Sequence, residues 1–248
     1  LRPEGTAGCV RACLQHGLLR SAMQKVWYMG PMYRHERPQK GRLRQFHQFG
    51  MECLGYDEPY PDIEQLLILN QAWVELEVSG AVILELNYLG SRETRIAYGD
   101  ALKAYYKPHL DKMTALNKKR WEDNTLRLLD SKESDIIEIN KNAPSIADFY
   151  SETERKVFET IQKNCTNNNI KFVVNPKLMR GLDYYTGLIY EWKSDALGAQ
   201  STICGGGRYD LLFENLGAKK TGACGFSIGI ERLIELRKHI THTKTSTQ

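Results

Sequence analysis

No stretch of the sequence approaches the roughly 18 uninterrupted apolar residues of a membrane span, and the start lacks the basic-then-apolar pattern of a secretory signal. The six cysteines, at 9, 13, 53, 165, 204 and 224, include no Cys-x-x-Cys pair, so neither a zinc site nor a disulfide framework is indicated. They read as small buried apolar side chains in a reducing compartment, and a soluble intracellular protein is expected. Charge of one sign is also scarce: 34 Lys and Arg against 30 Asp and Glu leave +4, too little to imply nucleic-acid binding by itself. Strand–helix–strand alternation opening on a Gly-rich turn is missing too, which argues against a Rossmann sheet.

What is present fits one large domain, or a domain with a smaller insert: 248 residues, 42% apolar and 26% charged, enough for a well-buried core. The charge is uneven. Residues 20–52 hold seven Lys or Arg against Glu36 and Glu52, whereas residues 100–165 balance at twelve of each sign. A local excess suits a compact polyanion better than a smooth nucleic-acid track. The chain opens on Leu1, directly in Leu-Arg-Pro-Glu-Gly-Thr, which reads as the interior of a domain. From His239 onward, a Thr-rich run without apolar period reads as a tail or linker over 240–248.

Periodicity predicts the elements. With Thr6 as N-cap, Val10, Cys13, Leu14, Gly17 and Leu18 share a helix face. Lys25–Tyr33 and Gln45–Leu54 read as an antiparallel strand pair joined by a basic loop, Arg34–Arg44. A helix over Ile63–Val78 and a strand over Ala81–Leu89 follow. The stretch 92–171 is helical and charge-balanced and reads as an insert, with Ser145 and Asp148 as a weak capping box. Strand-like runs return at Lys171–Val174, Leu188–Trp192, Ser201–Cys204 and Ala223–Ile228, ahead of a final helix over Gly229–His239. An α+β architecture is expected: an antiparallel sheet flanked by helices, with core parts 1–91 and 172–239 around the insert.

The second strand carries the most chemistry. Alternation places Phe46, Gln48, Gly50 and Glu52 on one face, and His47, Phe49, Met51 and Cys53 on the other. The first face reads as a binding floor: a ring for stacking, an amide and a carboxylate for an amine-bearing ligand, and a glycine leaving space. At its edge, the guanidinium groups of the 34–44 loop suit bidentate binding of phosphate. Arg180-Gly-Leu-Asp-Tyr-Tyr-Thr-Gly187 is either a structural turn with buried tyrosines or a source of one Arg and one Tyr for a pocket. Gly205-Gly-Gly207 allows close backbone approach but lacks the Lys and spacing of a P-loop. Arg232, in the first turn of the last helix, opposes the helix dipole, which suggests a compensating anion.

Five blocks in this order resemble the catalytic domain of the histidyl-tRNA synthetases, which are class II aminoacyl-tRNA synthetases. They are Leu1–Thr6, Gly30–Gly50, Arg180–Tyr185, Gly206–Asp210 and Gly225–Leu233. The resemblance implies a six-stranded antiparallel sheet and a two-step reaction. Histidine and Mg²⁺–ATP would give histidyl-adenylate, which then acylates the terminal adenosine of histidine tRNA. It also implies a cytoplasmic enzyme without a tightly bound cofactor.

By the same resemblance Arg34 and Arg180 hold the α-phosphate, Arg232 the γ-phosphate, and Phe46 lies against adenine, with Glu36 in the ATP site. Glu4, Thr6 and Gln48 take the α-amino group, Glu52 and Tyr185 the imidazole, and Tyr209 closes the pocket. Metal ligands stay unassigned. The insert would pack over the tRNA acceptor stem through Lys118, Lys119, Arg120 and Arg127. The family's first motif, which builds the homodimer interface, and its anticodon-binding domain are expected before and after these residues. The other reading is a non-catalytic relative, since the fold also serves as a regulatory subunit of ATP phosphoribosyltransferase and as a tRNA-sensing domain in a stress kinase.

Overall fold

The computed structural model describes residues 1–20, 22–57, 59–131, 133–181 and 184–245. Its frame is a seven-stranded sheet: β1 Gln24–Tyr33, β2 Gln45–Leu54, β3 Ile83–Tyr88, β4 Phe172–Val174, β5 Thr186–Lys193, β6 Thr202–Arg208 and β7 Ala223–Gly229. The strand order is β1-β2-β7-β6-β5-β3-β4. Six strands pair antiparallel, while β4 adds to the β3 edge in parallel, so the sheet is mixed and has one strand more than expected.

The helices are α1 Thr6–Gln15, α2 Tyr60–Glu75, α3 Arg92–Tyr106, α4 Ala115–Asp123, α5 Ser134–Asn140, α6 Glu152–Asn167, α7 Leu211–Asn215 and α8 Ile230–Thr245. Among the described residues none is long and apolar enough to cross a membrane. Several ends differ from the periodicity reading. Gly5, not Thr6, is the N-cap of α1, and the Glu4 carboxylate accepts from the backbone N–H groups of Thr6 (2.6 Å) and Ala7 (3.1 Å). Ser145 caps only a short 3₁₀ turn, and the capping box at the start of α6 is Ser151 with Glu154. α8 runs to Thr245 through the segment expected to be irregular, because Leu233, Leu236 and Ile240 recur at helical spacing and pack on the core.

Two cores flank the sheet. On one face Leu66, Leu69 and Trp73 of α2, Phe158 and Ile161 of α6 and Leu236 of α8 meet Leu86, Tyr190, Trp192 and Phe226 from the strands. On the other, Val10 and Cys13 of α1, Tyr98 and Leu102 of α3, Ile136 of α5 and Phe213 of α7 pack with Ile189 and Tyr209. The segment expected as an insert therefore feeds both cores. A buried ion pair ties α2 to β6: Arg208 Nη2 lies 2.5 Å from Asp62 Oδ2, and Arg208 Nη1 reaches Asp210 Oδ1 at 3.1 Å.

Candidate functional site

A cavity of about 450 Å³ opens over the face of the sheet that carries the even-numbered residues of β2. Glu4, Thr6, Arg34, Glu36, Phe46, Gln48, Arg180, Tyr185 and Arg232 all line it. Three arginines far apart in sequence thus share one space. Arg34 leaves β1, Arg180 precedes β5, and Arg232 sits in the first turn of α8.

Each arginine is held by the protein. Arg34 Nε donates to the Pro3 carbonyl at 2.8 Å, and its guanidinium lies 4.8 Å over one face of the Phe46 ring. Arg180 pairs with Glu191, whose other oxygen accepts from Thr202 Oγ1 at 2.9 Å. Arg232 donates to the carbonyls of Gly41 (2.7 Å) and Thr202 (2.6 Å) and to Gln200 Oε1 (2.9 Å). These oxygens, rather than an anion, offset its place at the helix N-terminus. Burial depresses the pKa of Arg34 and Arg232, and the cations act on one another, Arg180 on Arg34 and Arg34 on Arg232. Such a cluster favours a ligand with several negative charges.

On the floor, two polar atoms have no partner among the described residues: the buried Oε1 of Gln48 and Nε of Arg180. An unpaired buried amide oxygen calls for a donor, and an unpaired guanidinium N–H for an acceptor. Below Gln48 lies Glu52, fully buried and not among the residues that line the cavity, where the sequence reading expected it to grip a ligand directly. Its Oε1 accepts from Thr6 Oγ1 at 2.8 Å and Tyr28 OH at 3.0 Å, and its Oε2 from Tyr209 OH at 2.5 Å. Burial pushes the carboxyl up to about 8, against the opposing pull of those three hydroxyls.

Some expected placements change. Tyr209 does not close the cavity: it is buried behind Glu52 and supports it. The space above Gly50 is filled by the Tyr28 ring. The glycines at 205 and 206 make room for protein, since a Cβ would meet the Arg180 guanidinium at 2.5 Å and the Gly225 carbonyl at 2.5 Å respectively. Of the five basic residues in the 34–44 loop only Arg34 and Arg42 line the cavity, and Lys40 is drawn off to Glu235 at 2.9 Å. Lys118, Lys119 and Arg127 are exposed outside the cavity, while Arg120 bonds Asn117 Oδ1 at 3.1 Å. Leu182 and Asp183 lie outside the described residues.

Other lining residues went unnoticed in the sequence: Tyr184, Glu191, Thr202, Glu231 and Asp130. Glu191 had a signal, because Ile189, Glu191 and Lys193 alternate on β5 with the apolar Leu188, Tyr190 and Trp192. His47, the polar exception on the other face of β2, is explained by Glu231: its backbone N–H donates at 2.9 Å and its ring Nδ1 lies 2.8 Å from Oε1. Among the described residues no group of three or more His, Cys, Asp or Glu gathers as a metal site.

Comparison with known proteins returns one family and several solved structures of the same fold. The family model described as histidyl-tRNA synthetase matches residues 1–233. The structure of apo histidyl-tRNA synthetase from S. aureus is 30% identical, with a TM-score of 0.79 over 97% of this chain and 58% of that one. A Bacillus halodurans protein described as an ATP phosphoribosyltransferase regulatory subunit/histidyl-tRNA synthetase is 20% identical, with a TM-score of 0.63 over 95% of this chain and 64% of that one. Histidyl-tRNA synthetase from Nostoc sp. PCC 7120 is also 20% identical, with a TM-score of 0.62 over 95% of this chain and 57% of that one. The last two share the fold. The present chain thus spans 58% of the length of its S. aureus relative.

Proposed function

The chain belongs to the histidyl-tRNA synthetase family, and from that membership we propose that it activates L-histidine with Mg²⁺–ATP and passes the histidyl group to histidine tRNA. One observation carries the reading: Arg34, Arg180 and Arg232 converge on a single cavity whose floor holds the unpartnered Gln48 Oε1 above Glu52.

The chemistry follows from where the charges sit. A histidine carboxylate oxygen attacks the α-phosphorus, the bond to the bridging oxygen breaks, and pyrophosphate leaves. Negative charge spreads over the phosphoryl oxygens, where fixed guanidinium groups stabilise it most. Arg34 and Arg180 act at the α-phosphate and Arg232 at the γ-phosphate, each giving up a protein oxygen as it turns to the nucleotide. The ammonium of histidine then finds Gln48 Oε1, with Glu4 and Thr6 beside it. Glu52 takes three hydroxyl donors and keeps its own proton below about pH 8, so it can give an O–H to one imidazole nitrogen, while the Tyr185 phenol serves the other. A side chain lacking those nitrogens strands buried polar groups, which supports discrimination of about 10⁴ to 10⁵ without editing. In the second step a hydroxyl of the terminal adenosine of the tRNA attacks the carbonyl carbon of the adenylate and AMP leaves. Histidine tRNA and a second copy of the protein are the partners this reading includes.

The non-catalytic reading, histidine binding as a regulatory subunit of ATP phosphoribosyltransferase, requires no cluster of three phosphate-facing arginines. Amino-acid-dependent ATP–pyrophosphate exchange, run with each of the twenty amino acids, tests the proposal. Exchange with histidine alone is expected. Histidine binding without exchange would favour the regulatory role, and no histidine binding would overturn both.

A further inference from the structure

Much of the seat of Glu52 is built by residues that do not line the cavity. Tyr28 stands opposite Gly50 in the β1–β2 register, and its ring fills a slot between Gly5 and Gly50. A Cβ at either glycine would overlap the ring itself, so the slot exists only because both positions lack side chains. At the end of this slot the Tyr28 hydroxyl donates to Glu52 Oε1 at 3.0 Å. On the far side of the carboxylate, Gly225 leaves the room that Oε2 occupies, and Tyr209 fixes that oxygen at 2.5 Å.

Thr6 is the other donor to Oε1, but it lines the cavity and has a second task there, next to the ammonium. Tyr28 does not line the cavity and, among the described residues, has no competing partner beyond Thr6 Oγ1, 3.5 Å away. Burial and the adjacent Glu52 push its phenol far above the usual tyrosine range, so it stays a donor at every working pH. A permanent donor on one oxygen fixes how the carboxyl group is turned and which of its positions remains for a ligand.

We propose that Tyr28 is a positioning residue for substrate specificity, holding Glu52 from behind through the Gly5–Gly50 slot so that the carboxyl group meets a ring nitrogen of an imidazole. The inference rests on the proposed function and adds a residue that touches neither histidine nor ATP. Tyr28→Phe keeps the ring in its slot and removes only the hydroxyl. The expected result in histidine-dependent exchange is a KM for histidine raised about tenfold, with the KM for ATP and kcat within about twofold of the unmodified protein. A loss of packing would instead weaken both substrates or lower kcat. Gly50→Ala, which presses a methyl group against the same ring, is the second variant and is expected to raise the histidine KM in the same selective way.

An unchanged histidine KM in Tyr28→Phe, or equal increases for both substrates, overturns the inference while leaving the proposed function standing. Should Tyr28→Phe fail to fold, Gly50→Ala decides on the same criterion. If the unmodified protein neither binds histidine by calorimetry nor supports exchange, the proposed function falls before any substitution is made, and the inference falls with it.

Discussion

Gly225 faces Glu52 across the β2–β7 ladder, and a methyl group at 225 would fall inside the radius of Glu52 Oε2. The strand residue is small because the carboxylate on the neighbouring strand needs its volume. Gly225→Ala must displace Glu52 or bend the central strand, since the Met51 carbonyl lies only 2.9 Å from the same point. A loss of about 1–3 kcal/mol in urea unfolding is expected, the usual range for overpacking a filled interior. Unchanged stability would mean that the carboxylate is not seated there.

Glu52 also sets a pH dependence. Its carboxyl is raised by burial to about 8 from an ordinary value of 4.5, so the folded protein holds a proton that the unfolded chain has released between those values. Folding stability from this group is therefore full below about pH 4.5 and falls as pH rises towards 8. Glu52→Gln removes the titration. Relative to the unmodified protein its Tm should improve steadily from pH 5 to pH 8 in scanning calorimetry, and a constant difference would show that Glu52 does not titrate in this window.

The pair Arg208–Asp62 is buried at both ends, with relative exposures of 2% and 1%. Asp62→Ala takes both carboxylate oxygens away from a buried guanidinium that Asp210 and the Tyr56 carbonyl also contact, and a cost of about 3–5 kcal/mol is expected. Replacing both members with apolar residues, Asp62→Leu with Arg208→Met, should recover most of it. Equilibrium denaturation separates the two outcomes.

Arg180→Lys tests the proposed chemistry directly. Lysine keeps the charge but lacks the planar fork that meets Glu191 on one side and presents an unpartnered N–H on the other. Histidine-dependent exchange is expected to fall at least about 10²-fold in kcat, with the histidine KM little changed. A lysine enzyme of normal rate would show that Arg180 is no more than a structural ion pair.

The strands of the site were legible because the β2 alternation is unbroken: Phe46, Gln48 and Glu52 share a face in the sequence as they do in space. The three arginines were legible through family motifs, not through periodicity, which says nothing of how residues 146 and 198 positions beyond Arg34 come to meet it. The role of Tyr28 was hidden, since it depends on the register that sets 28 opposite 50 and on a turn that brings Gly5 alongside. The glycines misled in the same way. They signal close approach, but a sequence does not say whether a ligand or a neighbouring side chain makes it. β4 escaped as a parallel edge because three residues carry too little pattern to fix a direction.

Tyr98 and Leu102 sit in one core, Phe158 and Ile161 in the other, and all four come from the stretch whose texture marked it as an insert. A cut at 92 and 171 would leave water against both faces of the sheet. Melting should accordingly proceed in a single calorimetric transition, with no plateau at which the helices have gone and the strands remain.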